Sequence, residues 1–252
     1  MAGKKRLDTA LVDRGLVASR ERARALILAG EVRVNGHAAT KAGMPVPDAA
    51  EITLTTTDHP YVGRGGIKLA HALDAFAIDV TGRLGLDIGA STGGFTDVLL
   101  QRGASRVVAL DVGHNQLDWK LRSDPRVVVI ERVNARALTP DDLPPDARAF
   151  AIVTIDVSFI SLRHLLPVVP GLLLDAGDVV ALVKPQFESR REEVGKGGIV
   201  RDESVHARVL DEVTAAADTL GLTRHGLVES PITGTEGNRE FLAWFKRRLT
   251  GS

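Results

Sequence analysis

From residue 66 to the end of the chain, apolar runs alternate with helix-like stretches, and this alternation constrains the fold more than any other feature. The runs RLGLDIG, RVVALDVG, FAIVTIDVS and DVVALVKP are apolar along almost their whole length rather than at every second position. Strands of that kind are buried on both faces, as in a parallel sheet covered by helices. The sequence therefore predicts an α/β fold with a doubly wound sheet, whose ligands lie at the carboxyl ends of the strands.

A glycine-rich turn follows the first of these runs, in the stretch LGLDIGASTGGFTD. Gly89, Gly93 and Gly94 would allow a ligand to approach the backbone closely, and the helix after them presents free N–H groups. The pattern D-x-G-x-x-x-G-G differs from the G-x-G-x-x-G of dinucleotide sites. We predict a small polar ligand at this turn, with a purely structural tight turn as the alternative.

Two acids at strand ends narrow the identity of that ligand. Asp87 would repel a pyrophosphate but suits a cationic group, and Asp111 at the end of the next strand is placed to accept hydrogen bonds from a ribose. Asn134 either contacts an adenine or caps a turn. Together these features favour S-adenosylmethionine, and the predicted cofactor-binding residues are Asp87, Gly89, Ser91, Gly93, Gly94, Asp111 and Asn134.

The beginning of the chain is basic although the formal net charge of the whole protein is zero. Residues 1–41 contain nine Lys or Arg and four Asp or Glu, which suggests a module for a polyanion. The pattern predicts two short helices, the second capped by Ser19, then a strand and a hairpin turn at Asn35-Gly36. A generic small domain with one charged helix is the alternative.

Residues 6–55 resemble the RNA-binding module named after the fourth protein of the small ribosomal subunit. The matching elements are R-L-D, S-R-E-R-A-R-x-L-I, G-x-V-x-V-N-G and a last strand near EITL. The resemblance implies that basic side chains contact RNA phosphates or stack on bases. The predicted RNA-binding residues are Arg6, Arg20, Arg22, Arg24 and Lys41.

Reactive side chains stand at the remaining strand ends. Asp156 ends the run TIDVS, and Lys184 ends ALVKPQF; a lysine in an apolar strand is costly to bury unless it is paired or functional. Lys68 precedes the first strand, and Glu240 begins the last one, with Glu236 as its rival. Spacing alone does not show whether these groups converge.

Residues 63–252 resemble the FtsJ-type RNA 2′-O-methyltransferases. The catalytic Lys-Asp-Lys-Glu tetrad of that family corresponds in order to Lys68, Asp156, Lys184 and Glu240. The whole chain, including YVGRGGIKL, DIGASTGGFTD, IDVSFISL and LVKPQFE, resembles the TlyA family of rRNA cytidine 2′-O-methyltransferases, members of which are also named haemolysins. The resemblance implies a seven-stranded Rossmann-like methyltransferase sheet, S-adenosylmethionine as cofactor, and ribosomal RNA within ribosomal subunits as substrate.

The expected organisation is a small basic α+β RNA-binding domain over residues 1–58, a linker over 59–62 and a methyltransferase domain over 63–252. The chain has no cysteine, and its seven histidines are scattered, so we expect no metal site. Without an apolar signal core or a membrane span, a cytoplasmic protein is expected. The alternatives are an RNA-binding protein with an inactive body, a membrane-active lysin, and a small-molecule methyltransferase or nicotinamide enzyme.

Overall fold

The structure, a computed structural model, describes residues 4–17, 19–28, 30–54, 59–234 and 236–248. The chain divides into two compact units, Met1–Pro60 and Tyr61–Ser252. The boundary between the units lies within the predicted linker. Each unit has its own hydrophobic core.

The first unit combines two helices with short strands. In chain order its elements are β1 (Lys4–Arg6), α1 (Leu7–Asp13), α2 (Arg20–Leu28), β2 (Val32–Val34), β3 (His37–Ala38), β4 (Pro45–Pro47) and β5 (Ile52–Leu54). Strands β3, β2 and β5 form an antiparallel sheet, and β1 pairs with β4. The predicted cap is present, because the Ser19 hydroxyl accepts the Arg22 N–H at 3.1 Å. Asn35 and Gly36 both have positive φ, as a tight hairpin turn requires.

The second unit is built around one large sheet. Its elements are α3 (Gly65–Ala75), β6 (Leu84–Ile88), α4 (Gly94–Gln101), β7 (Arg106–Asp111), α5 (Trp119–Arg122), β8 (Val127–Glu131), β9 (Phe150–Ile155), β10 (Leu173–Val183), α6 (Pro185–Glu188), α7 (Glu203–Thr219), β11 (Leu222–Glu229) and β12 (Phe241–Arg247). The strand order is β11-β12-β10-β9-β6-β7-β8. Strands β10 to β8 are parallel, while β12 runs antiparallel to both of its neighbours. The predicted mostly parallel, seven-stranded α/β fold is confirmed.

Burial on both faces explains why the strands are continuously apolar. On β7, Val108 and Leu110 pack into one core cluster, and Val107 and Ala109 pack into the other on the opposite face. Successive side chains of a strand point to opposite faces, so both sets must be apolar. Between β9 and β10, the stretch LRHLLPVV forms two short 3₁₀ segments, Leu162–His164 and Leu166–Gly171, because its prolines cannot continue an α-helix.

The parallel strands place their carboxyl ends at one edge of the sheet. Strands β6, β7, β9 and β10 all end there, and the residues that follow β6, β9 and β10 meet in a cleft. Elsewhere in the described ranges, the longest helix is α7, and no helix is both long and apolar enough to cross a bilayer.

Candidate active site

A cleft of about 650 Å³ opens at the carboxyl ends of β6, β9 and β10. Four of its lining residues are Lys68, Asp156, Lys184 and Glu240. Lys68 lies on α3, Asp156 directly follows β9, Lys184 follows β10, and Glu240 precedes β12. The structure therefore brings together four side chains that are spread over 173 positions of sequence.

The four side chains form two ion pairs. Lys184 Nζ lies 2.6 Å from Asp156 Oδ1, and Lys68 Nζ lies 2.5 Å from Glu240 Oε2. Lys68, Lys184 and Glu240 are buried, whereas the Asp156 side chain keeps 22% of its surface exposed. Burying a lysine is tolerated here because each one has its own carboxylate.

The Lys184 ammonium has a second neighbour that the sequence analysis missed. It donates a hydrogen bond to Ser158 Oγ at 3.1 Å. The same ammonium lies 2.6 Å from Asp156 Oδ1, with which it forms an ion pair. Lys184 is thus fixed between a hydroxyl and a carboxylate. Ser158 could have been found from the sequence, because it lies two residues after Asp156, at the same strand end.

The loop before β12 carries both glutamates that were predicted as alternatives, and only one of them pairs with Lys68. Glu240 forms the ion pair, while Glu236 lines the same cleft as an exposed residue. Asn238, another lining residue missed from sequence, is almost fully buried. Its Oδ1 accepts the Val200 N–H at 2.9 Å and its Nδ2 donates to the Gly198 carbonyl at 2.8 Å. Asn238 therefore ties the loop that carries Glu240 to the loop before α7.

The glycine-rich turn forms one wall of the cleft. Gly89 has a φ of +85°, and a Cβ there would lie 2.3 Å from the Asp156 carbonyl oxygen. Gly89, Ser91 and Gly94 line the cleft, but Gly93 packs away from it, where a Cβ would lie 2.2 Å from Leu121 Cδ1. Only glycine fits at Gly89 because both the positive φ and the neighbouring backbone exclude a side chain.

Asp111 lies beside this turn, as the sequence predicts. Its Oδ2 accepts the Ser91 N–H at 2.8 Å, and its Oδ1 accepts the Gly113 N–H at 2.7 Å. The carboxylate is half-buried and lines a small second cavity together with Ser91, Gly113 and Gln116. These two backbone contacts fix the orientation of the carboxylate and leave lone pairs for a ligand.

Asp87 lies beneath the turn rather than in the cleft. Its side chain is completely buried, and its two oxygens accept hydrogen bonds from Thr96 Oγ1 at 2.7 Å and Thr154 Oγ1 at 2.9 Å. The sequence suggested that Asp87 contacts a cationic ligand directly. In the structure its side chain points away from the cleft, into the packed face between β9 and α4. Burial, opposed by the two hydroxyls, raises the pKa of Asp87 to about 6.

The raised pKa of Asp87 predicts a pH-dependent stability. The pKa of Asp87 is about 6 in the folded state, compared with an ordinary value of 3.8. The folded state therefore binds this proton more tightly than the unfolded state, which stabilises the fold at low pH. This stabilisation is lost as the pH rises through 6. Between pH 5 and pH 8 the loss is about 1.4 kcal/mol. Asp87→Asn removes this titration, so urea unfolding should show the variant gaining about that much on wild type over this interval. A constant difference between the two proteins at both pH values would contradict the assignment.

Asn134, another predicted cofactor-binding residue, is not part of the cleft lining. Asn134 is exposed and caps a 3₁₀ turn, its Oδ1 accepting the Arg136 N–H at 3.0 Å. Of its two proposed roles, the structure displays the cap.

At the mouth of the cleft, Phe187 contacts Phe159 with ring centroids 5.2 Å apart. Phe159 is 91% exposed, and the sequence analysis did not single it out because an isolated phenylalanine carries no pattern.

In the first unit, three of the five predicted RNA-binding residues are gathered around one acid. Arg6, Arg20 and Arg24 all contact Asp8. Arg22 lies on the same helix as Arg20 and Arg24, and Lys41 is exposed in the segment before β4. Asp8 itself was not predicted as functional, although it belongs to the R-L-D motif.

Family models match both units. The model described as FtsJ-like methyltransferase matches residues 61–247, and the model described as S4 domain matches residues 5–52. Together these two matches cover nearly the whole described chain.

Several curated proteins are similar over almost the full length. The 16S/23S rRNA (cytidine-2′-O)-methyltransferase TlyA of Mycobacterium tuberculosis is 48% identical over 247 residues, covering 98% of this chain and 91% of that protein. Hemolysin A of Brachyspira hyodysenteriae is 42% identical over 244 residues, covering 95% of this chain and 99% of that protein. The 23S rRNA (cytidine-2′-O)-methyltransferase TlyA of Campylobacter jejuni is 34% identical, covering 73% of this chain and 70% of that protein.

Solved structures give the same picture of the fold. A candidate hemolysin from Streptococcus thermophilus superposes with a TM-score of 0.77 and 46% identity, covering 99% of this chain and 90% of that one. An S-adenosylmethionine dependent methyltransferase from Mesorhizobium loti superposes with a TM-score of 0.52 and 16% identity, covering 73% of this chain and 100% of that one. At that identity the second likeness concerns the fold alone.

Proposed function

Because the chain belongs to the FtsJ-like methyltransferase family, we propose that it transfers a methyl group from S-adenosylmethionine to the 2′-hydroxyl of a cytidine in ribosomal RNA. The observation that carries this proposal is the pair of buried lysine–carboxylate contacts, Lys184–Asp156 and Lys68–Glu240, in a cleft beside a glycine-rich turn. The similarity to relatives named for this reaction supports the choice of substrate.

The turn and its surroundings suit S-adenosylmethionine by their chemistry. Gly89 and Gly94 leave the wall of the cleft free of side chains, and the N-terminus of α4 follows directly. Asp111 presents a fixed carboxylate to a ribose hydroxyl. The cofactor supplies an electrophilic methyl group on a sulfonium. In our proposal Asp87 acts from beneath, holding the strand and helix that shape the turn.

The tetrad is proposed to prepare the ribose hydroxyl for attack. A hydroxyl is a weak nucleophile, so it must be aligned with the methyl group. As the oxygen–methyl bond forms and the methyl–sulfonium bond breaks, the hydroxyl proton would pass to solvent in the open cleft, while the Lys184 ammonium stabilises the negative charge that develops on the oxygen. Lys184 contacts the 2′-oxygen in this scheme, and Asp156 with Ser158 holds the ammonium in position. Lys68 and Glu240 keep the opposite wall of the cleft rigid and electrically balanced. Alignment of this kind is worth roughly 7–11 kcal/mol in well-oriented reactions.

The S4 domain is proposed to deliver the RNA. Its match over residues 5–52 and the arginines on α2 support contact with ribosomal RNA in ribosomal subunits. We propose that the reaction takes place in the cytoplasm. The relatives are named for 23S rRNA alone or for both 16S and 23S rRNA. We therefore propose the large subunit as a substrate and treat the small subunit as a separate question for the experiment.

The test is transfer of labelled methyl to isolated large and small ribosomal subunits that lack the modification. Digestion of the labelled RNA should place the label on a cytidine ribose, where a 2′-O-methyl group protects the following phosphodiester from alkali. Label on a base, or no label on either subunit and on free rRNA, would reject the proposed reaction. RNA binding without any label would instead support a binding protein with an inactive body.

A further inference from the structure

The R-L-D motif places an acid at the centre of the basic surface of the first unit. We propose that Asp8 is a positioning residue that holds Arg6, Arg20 and Arg24 as a ready-made surface for RNA phosphates, called here the arginine cluster. This inference rests on the proposed function, because it takes RNA as the ligand of the unit. It goes further by assigning a binding role to a negatively charged residue.

The geometry converges on a single carboxylate. Arg6 approaches with both Nε and Nη2, at 3.0 Å from Oδ1 and 2.9 Å from Oδ2. Arg20 Nη2 lies 3.2 Å and Arg24 Nε 3.3 Å from the same Oδ2. Asp8 is 0% exposed, whereas the three arginine side chains are each about half exposed, at 51%, 52% and 53%.

This arrangement differs from an ordinary surface salt bridge. A simple pair would cancel its charge, but three guanidinium groups around one carboxylate keep an excess of two positive charges at the surface. The arginines hold the pKa of Asp8 well below its usual range, so the acid is ionised at neutral pH. Asp8 therefore acts as a permanent internal counter-ion that offsets the repulsion among the arginines.

Fixing the arginines in advance favours phosphate binding. A free arginine side chain loses considerable rotamer entropy when it is immobilised at an interface. Here Arg20 and Arg24 stand one helical turn apart on α2, and Asp8 fixes both together with Arg6 before any ligand arrives. Each guanidinium has five N–H donors in a planar fork, so a group that gives one or two to Asp8 keeps others for phosphate oxygens.

One substitution of Asp8 distinguishes the effect of arginine orientation on RNA binding from the effect of net charge, because the two effects predict opposite changes in affinity. Asp8→Asn removes one negative charge, so if charge alone mattered RNA would bind more tightly. Since the arginines lose their common acceptor, we expect binding about tenfold weaker instead. The matched control is Asp13→Asn, which removes one acid from the same unit. Asp13 pairs at 2.8 Å with Lys5, outside the arginine cluster, and its substitution should leave affinity equal or slightly higher.

The measurement is equilibrium binding of the full chain to a labelled 23S rRNA transcript over a series of salt concentrations. In Asp8→Asn the dependence of affinity on salt should become shallower, because fewer phosphates are held. In Asp13→Asn it should be unchanged or steeper. Equal or tighter binding by a folded Asp8→Asn protein would overturn the proposal, as would wild-type protein that does not bind the transcript.

A second variant covers the case in which Asp8→Asn prevents folding of the unit, which circular dichroism would reveal. Arg6→Lys keeps the charge and alters a half-exposed side chain, but it loses the two-point contact with Asp8. We expect severalfold weaker binding from it, and unchanged affinity would reject the role of Asp8. Methyl transfer is measured separately, so a wild-type protein that binds RNA without transferring methyl would reject the proposed function and leave this inference standing.

Discussion

Lys184→Ala is expected to lower the rate of methyl transfer by about 10²–10³-fold, the range found when one group that stabilises a developing oxyanion is removed. The side chain lies in the cleft with its ammonium 2.6 Å from Asp156 and 3.1 Å from the Ser158 hydroxyl. Alanine removes the cation that is proposed to contact the 2′-oxygen. Single-turnover transfer with saturating cofactor and subunits measures the chemical step apart from binding.

Cofactor affinity should survive this substitution. The glycine-rich turn and Asp111 belong to other strand ends, and none of their hydrogen bonds involves Lys184. Calorimetric titration with S-adenosylmethionine should therefore give a dissociation constant close to that of wild type. Lys246→Ala is the control, because it removes a lysine from β12 that is not part of the cleft lining. A near-normal rate in Lys184→Ala would exclude this residue from the mechanism.

The sequence predicted one half of the tetrad better than the other, for a geometric reason. Asp156 and Lys184 follow β9 and β10, which are parallel neighbours, so their strand ends must meet at the same edge of the sheet. Lys68 lies on a helix and Glu240 precedes an antiparallel strand, 172 positions away. No periodicity connects such a pair, and only the resemblance to a known family pointed to it.

The directions and contacts of the Asp87 and Asp8 side chains could not be predicted from sequence patterns. An acid at a strand end can face the ligand or the packed face beneath it, and a single residue of register decides between them. Asp87 takes the buried side, where Thr96 and Thr154 are its partners. For Asp8, the net charge of the segment drew attention to the arginines, yet three of them contact a buried acid that the charge count subtracts.

The Lys68–Glu240 pair allows stability and activity to be separated by mutation. Both side chains are buried, so Glu240→Ala leaves an uncompensated cation and should lower the free energy of unfolding by about 3–5 kcal/mol. Replacing both residues with apolar ones of similar volume, Lys68→Met with Glu240→Leu, removes both charges. Most of the lost stability should then return, because a buried ion pair contributes little net stability relative to well-packed apolar side chains.

The double variant should nevertheless be inactive if the pair serves the reaction. Urea unfolding followed by tryptophan fluorescence reports on the second unit, since both tryptophans, Trp119 and Trp244, lie there. Asp74→Ala, which breaks an exposed pair with Arg102, should cost less than about 1 kcal/mol and leave methyl transfer intact. A stable double variant that still transfers methyl at a normal rate would show that the pair only supports the fold. A stable, inactive one would establish that this buried charge pair is kept for catalysis at no gain in stability.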